Sequence, residues 1–153
     1  MTSRTSGLER LAPWLAGAAI ALPVLLARYP PMTDVPLHEA VVGLLRHWGD
    51  PRYVPADVYD LNLGLGNQLF YFLILALSYA MPMAMATKAI VAATLVFLLV
   101  ATGRLADHLG VTRWAAPIVA PIALGWMFFW GLLSNLMGVG LYLFMLREQR
   151  RNA

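Results

Sequence analysis

The sequence predicts an all-α, polytopic transmembrane helical protein with four spans, five being the alternative, and with juxtamembrane helices in its first outer loop. Three observations carry that prediction. The 153 residues are 60% hydrophobic and 12% charged, where an ordinary soluble domain is about half apolar and about a quarter charged. The apolar residues fall in long uncharged runs, not in stripes that leave one helix face to water. Arginines gather at the two ends and in one hinge, whereas most acids gather in a single loop. A net charge of only +3 on so apolar a chain excludes disorder. With no cysteine, a disulfide framework and a thiolate metal site are excluded as well.

The elements follow in order. A polar head, residues 1–10, precedes the uncharged run Leu11–Ala27, which as a helix covers about 26 Å and reaches the lower limit for a span. A cleaved signal peptide is the other reading, but the run is long for a signal core and Leu25 is a poor residue before a cut. Span 1 is placed at 11–28. Residues 29–66 form an outer loop with five prolines and the acids Asp34, Glu39, Asp50, Asp57 and Asp60. Within it, Leu37, Val41, Leu44, Leu45 and Trp48 recur at helical spacing and predict an amphipathic helix over 36–48 on the membrane surface. Pro36 suits its first turn, Asp34 is placed to cap it, and Gly49-Asp50-Pro51 ends it. Gly64-Leu65-Gly66-Asn67 reads as a turn, because a nucleotide loop needs a preceding strand and a phosphate-binding lysine.

Residues 67–81 are a hydrophobic juxtamembrane helix or a span, and 83–103 a span, with Lys88 snorkelling near its end. The hinge is placed at 104–113. The uncharged run Trp114–Leu146 would extend about 50 Å as one helix, so it folds back into spans at 114–130 and 132–147, reversing near Trp130–Asn135. The tail is 148–153. Charge bias decides the count: with 67–81 outside the bilayer core, head, hinge and tail all lie on the cytoplasmic side and only the acidic loop lies outside. With five spans, hinge and tail would lie outside. Both termini are therefore expected in the cytoplasm.

Only the outer loop gathers titratable groups. Asp34 and His38 stand four apart, so a helix starting near Asp34 stacks the imidazole under the carboxylate, and Glu39 is adjacent. Such a pair can hold a divalent metal or move a proton. The plainer reading makes Asp34 a helix cap, His38 a neutral interfacial imidazole and Glu39 a first-turn acid, and on spacing alone it is the commoner one. Trp114, Trp126, Phe128, Phe129 and Trp130 read as an interfacial aromatic belt. Basic residues dispersed among the helix ends speak against nucleic acid as a partner.

A span, then Tyr29-Pro30-Pro31-Met32-Thr33-Asp34-Val35-Pro36-Leu37-His38 opening a large outer loop with a juxtamembrane helix, then a second hydrophobic segment and short-looped spans, resembles the N-terminal part of the GT-C glycosyltransferases. The likeness is nearest to bacterial polytopic proteins related to the protein O-mannosyltransferases and lipid A aminoarabinose transferases. The resemblance implies a bacterial inner-membrane protein and a polyprenyl-phosphate sugar donor, with an acidic residue early in the first outer loop at the active site. That position is Asp34, as general base or to orient a divalent metal, with Glu39 a second acid and His38 beside them. The family's adjacent acidic pair is absent, since Val35 follows Asp34. The likeness covers the family's first third, which implies a chain not active alone, as a truncated reading frame, a remnant, or a split module completed by another membrane polypeptide. The alternative is a non-catalytic membrane subunit that packs against a partner, supported by the small residues Gly17, Ala18, Ala19, Ala92, Ala93, Gly138 and Gly140.

Overall fold

The computed structural model describes residues 6–55, 57–64 and 68–151, with the side chains of 150 and 151 left aside. The chain ends, Met1 and Ala153 among them, and the Leu65–Asn67 part of the expected turn lie outside the described residues. Among the described residues there are seven helices and no strand: α1 Gly7–Leu26, α2 Val35–Arg46, α3 Gln68–Ser78, α4 Met83–His108, α5 Ala115–Ala123, α6 Trp126–Trp130 and α7 Leu133–Arg151. The all-α expectation is met. α1 and α4 are long and apolar enough to cross a membrane, while α3 and the α5–α6 pair are shorter apolar helices.

α4 is the centre of the packing, with Val91, Leu95, Leu98 and Leu99 buried. α1 runs antiparallel to it, and their backbones close on each other where Gly17 faces Val96 and Gly103 faces the Pro13 ring. A Cβ on Gly17 would lie 2.9 Å from the Val96 Cα, so no larger residue fits this seam without moving a helix. α7 packs on another side, with Gly140 against Phe97 and Leu98, and Phe144 6.2 Å from Phe97 between ring centroids. Outward from this core the surface is apolar: Leu26 is 75% exposed, and Ile118 and Ile122 74% each.

Several boundaries differ from the sequence reading. α1 starts at Gly7, inside the expected polar head, because Ser6 is extended (φ −62°, ψ 153°) and its hydroxyl accepts from the Glu9 N–H at 3.2 Å. The 104–113 hinge is shorter than expected, since α4 continues through Arg104 to His108. Arg104, Leu105 and Ala106 favour helix, and the first residue able to turn left-handed is Gly110 at φ 74°. There the Val111 N–H reaches the Ala106 carbonyl at 2.8 Å and the Gly110 N–H the Asp107 carbonyl at 3.1 Å, closing the helix. The 114–130 segment is not one helix. It breaks at Leu124–Gly125, where Gly125 is extended (ψ −152°) one turn past Pro121. α2 ends at Arg46, two residues short of the expected 48.

The expected cap on α2 is corrected too. Asp34 holds the cap position, but its side chain makes no capping bond. Its ψ of 2° is far from the extended value that swings a cap oxygen over the first turn, and Pro36 at the second helical position has no N–H to offer. The carbonyl of Asp34 instead accepts from the His38 N–H at 3.0 Å.

Two sets of contacts define the ends of the molecule. At one end the Glu9 carboxylate accepts from the Thr112 hydroxyl at 2.6 Å and the Arg113 N–H at 3.2 Å, joining the start of α1 to the hinge. At the other, Lys88 donates to the Ala27 carbonyl just past α1, and the Thr33 N–H donates to the Phe129 carbonyl at 3.0 Å. The 28–82 segment with α2 and α3 therefore sits at the end opposite the hinge.

Candidate functional site

His38 is the only buried titratable residue among those described, at 6% exposure. It stands on the α2 face that meets α3 and the turn between α6 and α7. Its Nε2 lies 2.7 Å from the Gly131 carbonyl and its Nδ1 2.9 Å from the Tyr71 hydroxyl. A carbonyl only accepts, so Nε2 carries the proton, and in the neutral ring Nδ1 accepts from Tyr71. The Phe70 ring packs edge-on at 5.4 Å between centroids. Burial, and after it the Asp34 carboxylate, push the Tyr71 phenol above its ordinary value, which keeps it a donor to His38.

Gly131 makes this junction possible. It closes α6 at φ 81°, with the Leu132 N–H on the Met127 carbonyl at 2.8 Å, and a Cβ there would meet the Asp34 Cβ at 2.9 Å and the Asp34 nitrogen at 3.0 Å. Only glycine accepts both that conformation and that approach. The reversal expected within Trp130–Asn135 thus falls at Gly131, and the turn also lies against Asp34, where the segment leading into α2 begins.

Of the three expected site residues, Asp34 and His38 come together and Glu39 does not. Asp34 is half-buried beside Gly131, near enough to Tyr71 for its charge to act there, and its carboxylate has no hydrogen-bond partner among the described residues. The imidazole has both nitrogens engaged, so as placed it has no lone pair free for a metal. No group of three metal-ligating side chains occurs among the described residues. Glu39 instead lines a cavity of about 360 Å³ together with Arg28 and Lys88. A second, apolar groove of about 230 Å³ lies on the other side of α2, between Leu44, Trp48, Leu61 and Phe72. Asp34 lines neither. Arg46 ties α2 to α3, donating to the Ser78 carbonyl at 2.9 Å and standing 5.2 Å from the Tyr79 ring centre.

Sequence reasoning missed Tyr71 and Arg28. Tyr71 is a polar group in an otherwise uninterrupted apolar run, a signal that it finds a partner when buried. Arg28 is the first charge after the uncharged run Leu11–Ala27. No protein-family model, no curated protein and no solved structure matches this chain.

Proposed function

We propose that the chain is a four-span membrane module with head, hinge and tail on the cytoplasmic side and the α2–α3 platform outside, acting in GT-C-like sugar transfer from a polyprenyl-phosphate carrier. The observation that carries the topological part is the pairing of the two ends. Glu9 bonds to the hinge at one end, whereas at the other Lys88 joins the start of α4 to the end of α1, and Thr33 and His38 join the platform to α6 and the turn after it. This separation agrees with the gathering of Lys and Arg on the cytoplasmic side. α3, at 11 residues and about 16 Å, is too short to cross and rests against α2 and α4 as part of the platform. For the transfer itself, support comes from the order of segments and from Asp34, whose unbonded carboxylate stands where span 1 gives way to the platform. There it takes the acceptor hydroxyl's proton, or orients a divalent metal against the lipid phosphate.

Since the natural chain has no cysteine, single cysteines test the topology directly. Residues 62 and 83 label from outside with an impermeant thiol reagent, and residue 109 only after the membrane is opened. Labelling of 62 and 83 from opposite sides would make α3 a span. Chemistry is tested by transfer from a radiolabelled polyprenyl-phosphate sugar in membranes holding this chain and its neighbours, where Asp34→Asn should lower the rate by about 10²-fold or more, with Asp57→Asn as the comparison.

A second reading, a packing subunit without catalysis, is favoured by one observation. Ser134 and Gly138, four apart on α7, line an unfilled groove with Leu141, and such small-residue spacing suits close contact with another helix. Transfer insensitive to Asp34→Asn, together with disulfide crosslinks from a cysteine at 138 to another membrane protein, would favour that reading.

A further inference from the structure

The cavity beside α2 has a feature that neither reading uses. It opens between the chain leaving α1 and the first turns of α4, the level at which both long apolar helices reach one end of the molecule. Arg28 and Lys88 line it, and among the described residues neither has a carboxylate partner. Lys88 spends one of its three N–H donors on the Ala27 carbonyl. Arg28 makes no hydrogen bond among the described residues, and its guanidinium stands 5.4 Å from the Tyr29 ring centre. Glu39 lines it as well, and apart from Tyr29 and Thr87 the rest of the wall is apolar, with Met32, Val35 and Val91. Two cations, one anion and an apolar wall in about 360 Å³, within the ordinary range of small-ligand pockets, call for a ligand that carries both signs of charge.

We propose that this cavity binds the phosphoethanolamine headgroup of a bilayer phospholipid, the phosphodiester at Arg28 and Lys88 and the ammonium at Glu39. The inference rests on the reading of α1 and α4 as membrane-crossing helices. Guanidinium and ammonium donors match the two free phosphodiester oxygens. Glu39 matches a primary ammonium and repels a phosphate that brings no cation with it, which sets ethanolamine lipids above glycerol lipids by attraction and by repulsion together. Exposed Leu25 and Leu26 at the end of α1 continue the apolar surface past the cavity, where acyl chains lie when the headgroup is seated. The same headgroup free in solution lacks that second contact, which is the reason to choose the lipid.

The test uses the full chain purified in detergent and titrated with phosphatidylethanolamine or phosphatidylglycerol of identical acyl chains, bound lipid being counted by native mass spectrometry. The wild-type chain should hold phosphatidylethanolamine about tenfold more tightly than phosphatidylglycerol, the worth of one charge-assisted contact. Glu39→Gln should erase that preference, and Arg28→Gln should weaken both lipids. Neither substitution removes a hydrogen bond among the described residues. Equal affinity of the wild-type chain for the two lipids overturns the proposal without any variant. Variants that bind as the wild type does overturn the assignment of these residues. Displacement of the lipid by millimolar free O-phosphoethanolamine would mean a soluble ligand and overturn the lipid source. An alkaline carbonate wash separates the two levels of argument: a chain washed off the membrane overturns the spanning reading and this site together, whereas a chain that stays but shows no preference overturns the site alone.

Discussion

The α1–α4 seam and the junction of the platform with the α6–α7 turn are both places where glycine lets two backbones approach, yet they are held in different ways. At the seam, Gly17 and Gly103 admit Val96 and Pro13, and the contacts between them are apolar. At the junction, Gly131 admits Asp34, and polar bonds fix the geometry: Thr33 to Phe129, and His38 to both Gly131 and Tyr71. The proposed solvent accounts for the difference. If α1 and α4 cross a bilayer, as proposed above, there is little hydrophobic drive between them, and close van der Waals contact at small residues has to hold them. At the platform the chain turns repeatedly, and every turn frees backbone groups that need partners. The seam specifies how near two helices lie, and the junction specifies which residue faces which.

The largest effect is expected at Gly131. Gly131→Ala places a Cβ in a left-handed conformation, at about 1–2 kcal/mol, and drives it into the Asp34 backbone, adding about 1–3 kcal/mol of overpacking. Thermal unfolding in detergent should fall accordingly, and faster exchange of the α2 amides should accompany it. A loss confined to α7 would mean that the turn, not the junction, is what glycine serves.

His38→Ala comes next. It leaves the buried Gly131 carbonyl without its partner, at about 1–3 kcal/mol, and the half-buried Tyr71 hydroxyl without its own at a smaller cost. His38→Gln, which can still reach one of the two, should recover part of the loss. Were His38 a metal ligand instead, added divalent ions would stabilise the wild-type chain and not the Ala variant; thermal melts with and without zinc or manganese distinguish the two.

Gly17→Val tests the seam by itself. The added side chain meets the Val96 backbone and should cost about 1–3 kcal/mol, while a cysteine at residue 62 should label as it does in the otherwise unaltered chain, because the platform is held by other contacts. If the platform loosened as well, the two regions would be one cooperative unit.

The sequence showed these regions unequally. The seam's small residues, Gly17 among them, stand out in apolar runs, and the reversal near Gly131 followed from a run too long for one crossing. The His38 bonds were not legible, because Tyr71 and Gly131 lie 33 and 93 residues away, and the polar Tyr71 in its apolar run signals a partner without saying which. The i, i+4 spacing leaves Asp34 and His38 both against Gly131, but the expected cap fails on the Asp34 backbone, whose ψ is 2°, and on the N–H that Pro36 lacks. The break at Gly125 was hidden because apolar residues continue across it.

The smallest expected effect is at Asp34 itself. Asp34→Asn removes no capping bond and no hydrogen bond among the described residues, so stability at neutral pH should change by less than about 1 kcal/mol, as for ordinary substitutions away from such features. What it does remove is a negative charge near Tyr71. Burial is the larger cause of the raised phenol pKa and Asp34 the smaller, so in the Asn variant the Tyr71 titration, followed by phenolate absorbance against a Tyr71→Phe control, should move part of the way back toward its ordinary value and no further. The sign of the pH dependence follows. A phenol whose folded pKa lies above its unfolded value contributes stability that is fully present below about pH 10 and is lost as pH rises through the folded pKa. Alkaline unfolding of the α2–α3 platform should therefore begin at higher pH in Asp34→Asn than in the wild type if the carboxylate acts on Tyr71 through its charge, because a smaller gap between folded and unfolded pKa leaves less stability to lose. A titration unmoved by the substitution would leave Asp34 without an electrostatic role at this junction.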